Sequence, residues 1–333
     1  MEAAIQQTID TWLNEGYDQQ TKDEIVRLQK ENPQELVEAF YRTLEFGTGG
    51  LRGIMGVGTN RMNQYTVGFA TQGLANYLTK CFKGHKVKVV ISHDSRLRSR
   101  EFAQITASIL SANKIQVFLF EDLRPTPELS FAVRHLKCNA GIMITASHNP
   151  KEYNGYKVYW QDGGQLVPPH DKNVITEVNK ITSIDQVKWT GNKNLIQSIG
   201  EKIDNIYLKH ISKLSINPTS IKKAKDLKIV YTPLHGTGIT MVPKALSMYG
   251  FENVVLVDEQ AIPDGNFPTV KSPNPEEKTA LELALKKAEE VQADLILATD
   301  PDADRVGIAV RDKNGEYVLM TGNEVGVLLI DYI

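Results

Sequence analysis

The sequence predicts two consecutive α/β/α layered domains whose sheets are mixed but mostly parallel. The chain has 333 residues, which is long for one core because domains usually contain about 100 to 200 residues. Short apolar runs alternate with longer helical stretches from Lys86 onward, and a second alternation follows the polar stretch Thr190–Asn194. This alternation is typical of sheets that helices cover on both faces.

The residues up to Tyr41 are predicted to form helices that wrap one edge of the first domain. Apolar side chains recur there at the three- and four-residue spacing of a helix, between polar positions. They are Ile5, Ile9, Trp12, Leu13, Ile25, Val26 and Leu28.

The first domain is predicted to cover residues 1–190 and to contain strands buried on both faces. Apolar runs indicate strands at Val87–Ile91, Ile115–Phe120 and Ala140–Ile144. Helical periodicity indicates helices at about Tyr65–Phe82, Ser99–Asn113 and Thr126–Leu136. Because these helices alternate with the strands, we expect a layered α/β domain.

The second domain is predicted to cover residues 191–320. It follows the stretch Thr190–Asn194, which is polar, contains a glycine and is therefore the predicted linker. Apolar runs indicate strands at Leu227–Tyr231, Val254–Val257 and Leu295–Ala298. A turn at Gly236–Gly238 and a helix at Ile239–Tyr249 are expected between the first two strands.

A further helix is predicted to begin at Asn274 and to run to about Val291. Asn caps helices well, Pro275 suits the first helical position, and Glu277 can reach back to the cap. After it, Asn314–Gly315 favours a tight hairpin turn. The runs that flank this dipeptide are Arg305–Val310 and Glu316–Leu319, and we expect them to pair.

Residues 321–333 carry the signal of a new helix. Thr321 and Glu324 form a capping-box pattern. The apolar residues that follow are Val325, Val327, Leu328, Leu329 and Ile330. A helix with so much apolar surface needs a packing partner, so we expect it to open a truncated third domain; the alternative is a helix that docks on the second domain.

Composition and charge exclude several classes of protein. Hydrophobic residues make up 41% and charged residues 23%, as in ordinary globular proteins rather than disordered or membrane proteins. The net charge of −2 gives no overall field that would gather nucleic acid or lipid. Cys81 and Cys138 lack the spacing of a metal site, and Met1–Trp12 lacks a signal-peptide run. We therefore expect a cytoplasmic protein without a nucleic-acid or membrane partner.

The most informative acidic motif consists of Asp300, Asp302 and Asp304, which follow a predicted strand at alternate positions. Neighbouring carboxylates repel, and a hard cation such as Mg²⁺ or Ca²⁺ offsets that repulsion. An EF-hand is excluded because its sixth and twelfth positions require Gly and Glu but hold Arg305 and Arg311. The strand-end location favours a metal site over the alternative, a solvated acidic turn.

Ser147 follows the predicted strand Ala140–Ile144, at a strand end where α/β sheets collect ligands. No Gly-x-Ser-x-Gly elbow surrounds it, and the adjacent His148 gives no readable Ser-His-Asp triad, so acyl hydrolysis is disfavoured. A serine can instead accept and return a phosphoryl group where cations stabilise the oxygens. The alternative is that Thr145, Ser147 and Asn149 only make turn hydrogen bonds.

A third candidate is the glycine-rich stretch 47–53. Its glycines allow backbone N–H groups to approach an anion, and Arg52 offers a forked donor. The stretch is neither a dinucleotide fingerprint nor a P-loop, because Arg52 stands where the former needs glycine and the latter motif occurs nowhere in the chain. Alone, this stretch is also compatible with an ordinary loop, as is the Gly236–Gly238 turn.

Taken together, these segments resemble the α-D-phosphohexomutase family, which includes phosphoglucomutases and phosphomannomutases. The matching segments are Phe46–Gly53 (FGTGGLRG), Asp94–Arg96, Thr145–Lys157 (TASHNPKEYNGYK), Pro263–Glu276 and Asp300–Arg305 (DPDADR). They occur in order along nearly the whole chain, and the serine and acidic loops are highly specific. FGTGGLRG and PNPEE are most similar to the branch related to phosphoglucomutase-2 and phosphopentomutase.

The resemblance also implies roles for individual residues. The catalytic residues would be Ser147, as a phosphoserine, with His148, Lys157 and Arg52. Contacts to phosphate would come from Arg52, Thr145, Asn149 and Arg305. The metal ligands would be Ser147 through its phosphate, Asp300, Asp302 and Asp304. The resemblance does not decide which of the groups near the reacting oxygens acts as the general base.

In the family, phosphoserine passes its phosphoryl group to a sugar monophosphate, the bisphosphate turns over in the cleft, and the other phosphate returns to serine. The resemblance therefore implies an isomerase that acts as an intramolecular phosphotransferase, with a sugar phosphate as its partner. It also implies Mg²⁺ and glucose 1,6-bisphosphate, or an equivalent sugar bisphosphate, as cofactors.

Family members normally have four domains, and the loops that the third and fourth domains contribute have no counterpart before Ile333. Glucose is the first expectation for the sugar, with mannose and pentose as alternatives, and the oligomeric state stays open. We expect this N-terminal portion to be catalytically incomplete by itself. The competing hypothesis is a binding or regulatory relative that has lost turnover.

Overall fold

The computed structural model describes residues 3–47 and 50–333. Its N-terminal helices are α1 (Ala3–Asn14), α2 (Gln19–Glu31) and α3 (Pro33–Phe40). Their apolar faces meet around Trp12, which stacks on Tyr17 with ring centroids 4.3 Å apart and contacts Tyr65 edge-on at 5.4 Å. This aromatic cluster attaches the predicted helical segment to the first domain, since Tyr65 belongs to the helix that follows.

The first sheet confirms the predicted mixed, mostly parallel arrangement. Its strands are β1 (Gly50–Ile54), β2 (Lys88–His93), β3 (Gln116–Phe120), β4 (Ala140–Ile144), β5 (Tyr153–Trp160) and β6 (Ile196–Ile199). They lie in the order β1-β5-β4-β2-β3-β6. Within the described ranges, only β5 runs against the other strands, and it pairs with β1 on one side and β4 on the other.

Helices cover both faces of this sheet. They are α4 (Gln64–Cys81), α5 (Ser99–Ala112), α6 (Thr126–His135), α7 (His170–Val178) and α8 (Glu201–Ile211), and the short α9 (Pro218–Lys223) follows them. Val89 and Ile91 pack in one core cluster with α4 and α5. Val90, which points to the opposite face of the same strand, packs with α6 and α8. The domain therefore has the predicted three layers.

The second domain has its own sheet in the order β11-β10-β9-β7-β8. The strands are β7 (Ile229–Thr232), β8 (Val254–Leu256), β9 (Leu295–Thr299), β10 (Val306–Arg311) and β11 (Tyr317–Met320). The helices are α10 (Gly238–Tyr249), α11 (Asp258–Ala261), α12 (Glu282–Val291) and α13 (Gly322–Tyr332). Helix α12 packs on Val230 and Ile296 of the parallel strands. In the part of the chain that is described, no helix combines the length and apolar character of a membrane-crossing segment.

Two local signals near the end of the chain are confirmed. Strands β10 and β11 pair antiparallel around Asn314–Gly315, and Gly315 has a φ of +88°, a conformation that glycine adopts without steric cost. Thr321 caps α13 and forms the predicted reciprocal pair with Glu324. Helix α13 leaves much of its apolar surface exposed; that it opens a third domain stays a prediction.

The predicted boundary between the domains comes too early. Strand β6 lies after residue 190, yet it pairs parallel with β3 along Val117–Phe120. The stretch Thr190–Asn194 therefore leads to the edge strand of the first sheet instead of leaving the domain. Its polar composition is explained by its position at the surface beside that edge.

The predicted helix start at Asn274 is wrong. The Asn274 side chain accepts the Glu276 N–H at 3.2 Å and donates to Glu277 Oε1 at 3.0 Å, so it closes a local turn. The segment also packs against β10, where a Cβ on Gly307 would lie 2.0 Å from the Pro275 carbonyl oxygen. A short 3-10 turn follows, and the α-helix begins at Glu282.

Candidate active site

The candidate site lies at the carboxyl ends of β2 and β4 in the first sheet. Helix α5 connects β2 to β3 on one face, and α6 connects β3 to β4 on the other face. The chain leaves β2 towards β3 and leaves β4 towards β5, on the opposite side of the pair, and a crevice forms at such a switch point. Asp94 follows β2 and Ser147 follows β4, so both loops border this crevice.

Ser147 has a strained backbone conformation that directs its hydroxyl towards the second domain. Its φ of +52° lies in the left-handed region, which is uncommon for residues other than glycine. Its N–H donates to Thr145 Oγ1 at 2.8 Å. The hydroxyl donates to Asp300 Oδ2 at 2.7 Å and lies 3.3 Å from His148 Nδ1. The nucleophile predicted from sequence thus faces the predicted acidic loop.

Arg96 holds the serine loop in this conformation. Its buried guanidinium donates to backbone carbonyl oxygens of that loop and of the start of β5. These oxygens belong to Ser147, Asn149, Pro150 and Tyr153. Asp94 in turn accepts the Arg96 N–H at 2.9 Å and lies 3.4 Å from Nε. Asp94–Arg96 is one of the segments that match the family, but Arg96 was not among the predicted site residues.

The acidic loop Asp300–Arg305 follows the carboxyl end of β9. Ala303 adopts a φ of +53°, and Asp300 Oδ1 accepts the N–H groups of Asp304 and Arg305 at 3.2 and 3.1 Å. The loop therefore curls around its first carboxylate. This curl, and not an extended conformation of the loop, brings the three carboxylates together.

The Gly236–Gly238 turn packs against the backbone of the acidic loop at Pro301. The Thr237 N–H donates to the Pro301 carbonyl oxygen at 2.8 Å. A Cβ on Gly236 would lie 2.4 Å from Pro301 Cα, closer than such atoms approach. The predicted turn, whose sequence is also compatible with an ordinary loop, is thus a close backbone contact that requires glycine.

Asp302 joins the two domains. Its Oδ2 accepts the Lys157 ammonium of β5 at 2.7 Å and the Thr126 hydroxyl of α6 at 2.8 Å. Lys157 also lies 3.1 Å from Asp304 Oδ2. Asp302 Oδ1 is buried and has no hydrogen-bond partner. Thr126 was not predicted as a site residue, because nothing in its local sequence shows that it contacts a residue so far along the chain.

The pKa values of the two buried carboxylates of the loop are shifted in opposite directions. Burial and the nearby Asp302 and Asp304 carboxylates raise the pKa of Asp300 well above its usual value. Burial would also raise the pKa of Asp302, but the Lys157 ammonium lowers it. The same carboxylates raise the pKa of Lys157 against the effect of burial. Lys157 therefore stays charged and offsets part of the negative charge in the loop.

His148 is uncharged near neutral pH. Burial lowers the pKa of its imidazole, and the Arg305 and Arg52 guanidinium groups lower it further. A neutral imidazole keeps one ring nitrogen free to accept a proton. Since Nδ1 lies 3.3 Å from Ser147 Oγ, the ring is within reach of the serine hydroxyl.

The acidic loop fits a divalent cation. One carboxylate oxygen from each of Asp300, Asp302 and Asp304 can be chosen so that all lie within 4.8 Å of one another. The unpartnered Asp302 Oδ1 is a buried acceptor without a donor, which is costly unless a cation binds it. An all-oxygen donor set of this charge suits Mg²⁺ or Ca²⁺ better than a softer metal.

The other predicted site residues border the cleft. Arg52 of β1 is exposed and donates to Asn149 Oδ1 at 3.1 Å. Arg305 is exposed, and its Nη1 lies 3.9 Å from Glu276 Oε1. Thr145 is fully buried and its hydroxyl accepts the Ser147 N–H, so in this structure it supports the loop instead of pointing into the cleft.

The glycine-rich stretch leads into β1. Gly47 and Gly50 exchange two backbone hydrogen bonds, at 2.8 and 3.0 Å. Thr48 and Gly49, which the anion-binding interpretation included, lie outside the described residues. The end of the stretch forms a strand paired with β5, which carries Arg52 to the cleft beside Asn149.

The fold and the site together define a class of protein. Two α/β/α domains bring a serine hydroxyl face to face with an acidic loop that fits a divalent cation, an arrangement suited to phosphoryl transfer through a serine. Residues 43–185 match the family model for phosphoglucomutase/phosphomannomutase α/β/α domain I, and residues 205–315 match the model for domain II. The chain belongs to the phosphoglucomutase/phosphomannomutase family.

Comparison with individual proteins agrees with this assignment. The chain is 44% identical over 301 residues to a phosphoglucomutase of Staphylococcus haemolyticus, covering 89% of this chain and 54% of that protein. It is 43% identical over 298 residues to a phosphoglucomutase of Staphylococcus aureus, covering 89% and 53%. The chain thus spans about half the length of the curated relatives that it matches.

Solved structures show the same fold. A candidate phosphomannomutase of Thermus thermophilus superposes with a TM-score of 0.74 at 26% identity, over 87% of this chain and 61% of that chain. Parafusin, a phosphoglucomutase of Paramecium, gives a TM-score of 0.63 at 19% identity, over 84% of this chain and 54% of that chain. The predicted fold class is therefore confirmed.

Proposed function

We propose that the protein to which this chain belongs is a phosphoglucomutase that interconverts glucose 1-phosphate and glucose 6-phosphate through a phosphoserine at Ser147. The observation that carries the proposal is the 2.7 Å contact between Ser147 Oγ and Asp300 Oδ2 across the two domains. Glucose is favoured over mannose or pentose because relatives with 42–44% identity are named phosphoglucomutases. The same proposal places the protein in the cytoplasm.

The proposed reaction begins with a phosphoryl transfer to the serine. Ser147 Oγ forms a bond to a phosphorus atom of glucose 1,6-bisphosphate, and the bond from that phosphorus to the sugar oxygen breaks. The hydroxyl proton passes to an acceptor, and the sugar oxygen takes up a proton. Asp300 and His148 are the acceptors that face the hydroxyl, at 2.7 and 3.3 Å.

The remaining site residues supply charge and orientation. Asp300, Asp302 and Asp304 would hold Mg²⁺, which, when bound, offsets the negative charge of the transferring group. Lys157 keeps its ammonium beside this loop. Arg52 and Arg305 expose guanidinium groups at the border of the cleft, where their forked donors suit phosphate oxygens. Arg96 fixes the serine loop, so the hydroxyl needs little reorganisation before it reacts.

The test is transfer of labelled phosphate from glucose 1,6-bisphosphate to the protein in the presence of Mg²⁺, followed by peptide mapping. We expect label on Ser147, and we expect Ser147→Ala to lose it. Ser130→Ala is a suitable control, because Ser130 lies on α6 and its hydroxyl donates to the Gly163 carbonyl oxygen, away from the cleft. Label on another residue, or undiminished label in Ser147→Ala, would show that the nucleophile has been assigned wrongly.

A further inference from the structure

Thr126 begins helix α6, and both of its hydrogen-bond donors point to the acidic loop of the second domain. The backbone N–H donates to the Asp302 carbonyl oxygen at 2.8 Å. The hydroxyl donates to Asp302 Oδ2 at 2.8 Å, between residues 176 positions apart in sequence. A single threonine therefore contacts both the backbone and the carboxylate of one aspartate.

The sequence around Thr126 makes its N–H available for this contact. Pro125 precedes it and Pro127 follows it, and neither proline carries an N–H. The first N–H groups of a helix have no partner within the helix. The Thr126 N–H therefore has no partner within its ten-residue helix and lies at the positive end of that helix, from which it donates to the acidic loop.

The hydroxyl distinguishes the two oxygens of the Asp302 carboxylate. Oδ2 is held by Lys157 and Thr126, whereas Oδ1 is buried without a partner. Lys157 alone would not fix the rotation of the carboxylate, because its ammonium is also shared with Asp304. The two donors together fix the plane of the group and leave Oδ1 directed away from them.

We propose that Thr126 is a positioning residue that orients Asp302 for the cation, with Oδ1 as the ligand atom. The inference rests on the proposed function, since it takes the acidic loop as the divalent-cation site. It goes beyond that function by assigning a residue of the first domain to the metal affinity of the second. Groups that orient metal ligands typically contribute about 10- to 100-fold in affinity.

The experiment compares Mn²⁺ binding, measured by the electron paramagnetic resonance of free Mn²⁺, in variants of the whole protein. Thr126→Val keeps the backbone N–H and the shape but loses the hydroxyl, and it should raise the Kd for Mn²⁺ by about tenfold or more. Thr126→Ser keeps the hydroxyl and should stay within about threefold of the wild type. Thr106→Val is the matched control, because Thr106 is buried and its hydroxyl has no partner.

The outcomes separate the inference from the proposed function. If wild type and Asp302→Asn bind Mn²⁺ equally, the acidic loop is not the site and both are overturned. If Asp302→Asn binds weakly but Thr126→Val binds like the wild type, only the role of Thr126 is overturned. Should the valine variant fail to fold, Thr126→Ala against Thr126→Ser gives the same comparison, and equal affinities there would overturn the inference.

Discussion

Glu128 is a buried acid that the proposed reaction does not use. It lies in α6 and is fully buried, and neither of its oxygens has a donor if it is ionised. Its neighbour Asp204 forms two hydrogen bonds of 2.9 Å with the Arg124 guanidinium. Burial and Asp204 raise the pKa of Glu128 from its usual 4.5 to about 9. Near neutral pH the Glu128 carboxyl is therefore protonated and can donate to the ionised Asp204.

Glu128 should make the stability of the protein depend on pH. Its folded-state pKa lies above the unfolded value, so its contribution is complete below pH 4.5 and is lost as the pH rises towards about 9. The Arg124 and Lys244 cations oppose this shift without reversing it. We expect the free energy of unfolding to fall across this range by up to about 1.4 kcal/mol per pH unit from this group.

Urea unfolding of Glu128→Gln at pH 5.5, 7.0 and 8.5 measures that contribution. The amide can donate to Asp204 at every pH, so the variant should show a flatter dependence than the wild type. Glu101→Gln is the control, because Glu101 is exposed and its pKa is lowered, mainly by its hydrogen bond to Arg98. Its titration falls below this pH range. The same slope in wild type and Glu128→Gln would contradict the assignment.

Residues of the site could be found from sequence when their neighbours in the chain carry the signal. Ser147 and Asp300 were found because each lies in a motif directly after an apolar strand. Arg96 and Thr126 were not found, because their importance comes from contacts to Ser147 and Asp302, which are distant in sequence. Glu128 was missed for the same reason: nothing near it predicts that Asp204 lies beside it.

Among the elements, β5 organises the site most directly. It carries Lys157 to the acidic loop and passes Gly155 beside the segment that precedes Ser147. A Cβ on Gly155 would lie 2.4 Å from the Thr145 carbonyl oxygen and 2.9 Å from that of Leu51. The Leu51 oxygen belongs to the backbone of β1, and the Thr145 oxygen belongs to the backbone that leads into the serine loop. The Thr145 oxygen cannot move aside without shifting that loop.

Gly155→Ala should therefore slow the phosphorylation of Ser147 by about tenfold or more, since displacement by about 1 Å is costly at a reacting group. Gly141→Ala is the matched control in the adjacent strand, because its Cβ would meet the Val133 side chain at 2.5 Å. The Val133 methyl group can change position, and it belongs to α6 and not to the serine loop. We expect the control to lose stability, by about 1 to 3 kcal/mol, but to keep its phosphorylation rate.

The measurement is the initial rate of label transfer from glucose 1,6-bisphosphate, at a temperature where both variants remain folded. Equal rates in Gly155→Ala and the wild type would show that β5 does not set the position of the serine loop. Equal losses in the two alanine variants would instead indicate a general effect of packing in the sheet.

Strands and helices whose apolar residues recur without interruption were predictable from the sequence, and those with interrupted patterns were not. Strand β4 (Ala140–Ile144) was placed correctly because every residue in it is apolar or glycine. Strand β5 was missed because Asn154, Gly155 and Lys157 interrupt its apolar residues. Two of these residues contact the loops of the site, Gly155 beside Thr145 and Lys157 on Asp302. The helix start at Asn274 was predicted wrongly because an asparagine that can cap a helix can also close a turn. The local sequence does not show that the next residue, Pro275, packs against the distant Gly307.

At the scale of the whole molecule, the two domains meet at the candidate active site, between the serine loop and the acidic loop. The contacts that join them include Ser147 with Asp300, Lys157 and Thr126 with Asp302, Arg96 with Phe267, and Ser272 with the His148 carbonyl oxygen. Several of these contacts involve a predicted cation ligand. A cation bound to the acidic loop should therefore stabilise the folded first domain as well as the second.

The distribution of tryptophan makes this coupling measurable. The protein has three tryptophans, and Trp12, Trp160 and Trp189 all precede β6, whereas the acidic loop belongs to the second sheet. Tryptophan fluorescence therefore reports unfolding of the first domain and its helices, while the cation binds the second. In the protein without phosphate on Ser147, Mg²⁺ can change the fluorescence-detected midpoint only if the contacts between the domains transmit its binding energy.

We expect saturating Mg²⁺ to raise that midpoint by several degrees relative to the metal-free protein. A ligand at 100 times its Kd contributes about 2.7 kcal/mol, and about 1 kcal/mol shifts the midpoint of a domain of this size by about 2 to 4 °C. Asp302→Asn should lose most of the shift, and the exposed Asp10→Asn should keep it. If circular dichroism shows a Mg²⁺-dependent transition while the fluorescence midpoint stays constant, the domains unfold independently. Asp302 would then bind the cation without joining the two halves of the cleft.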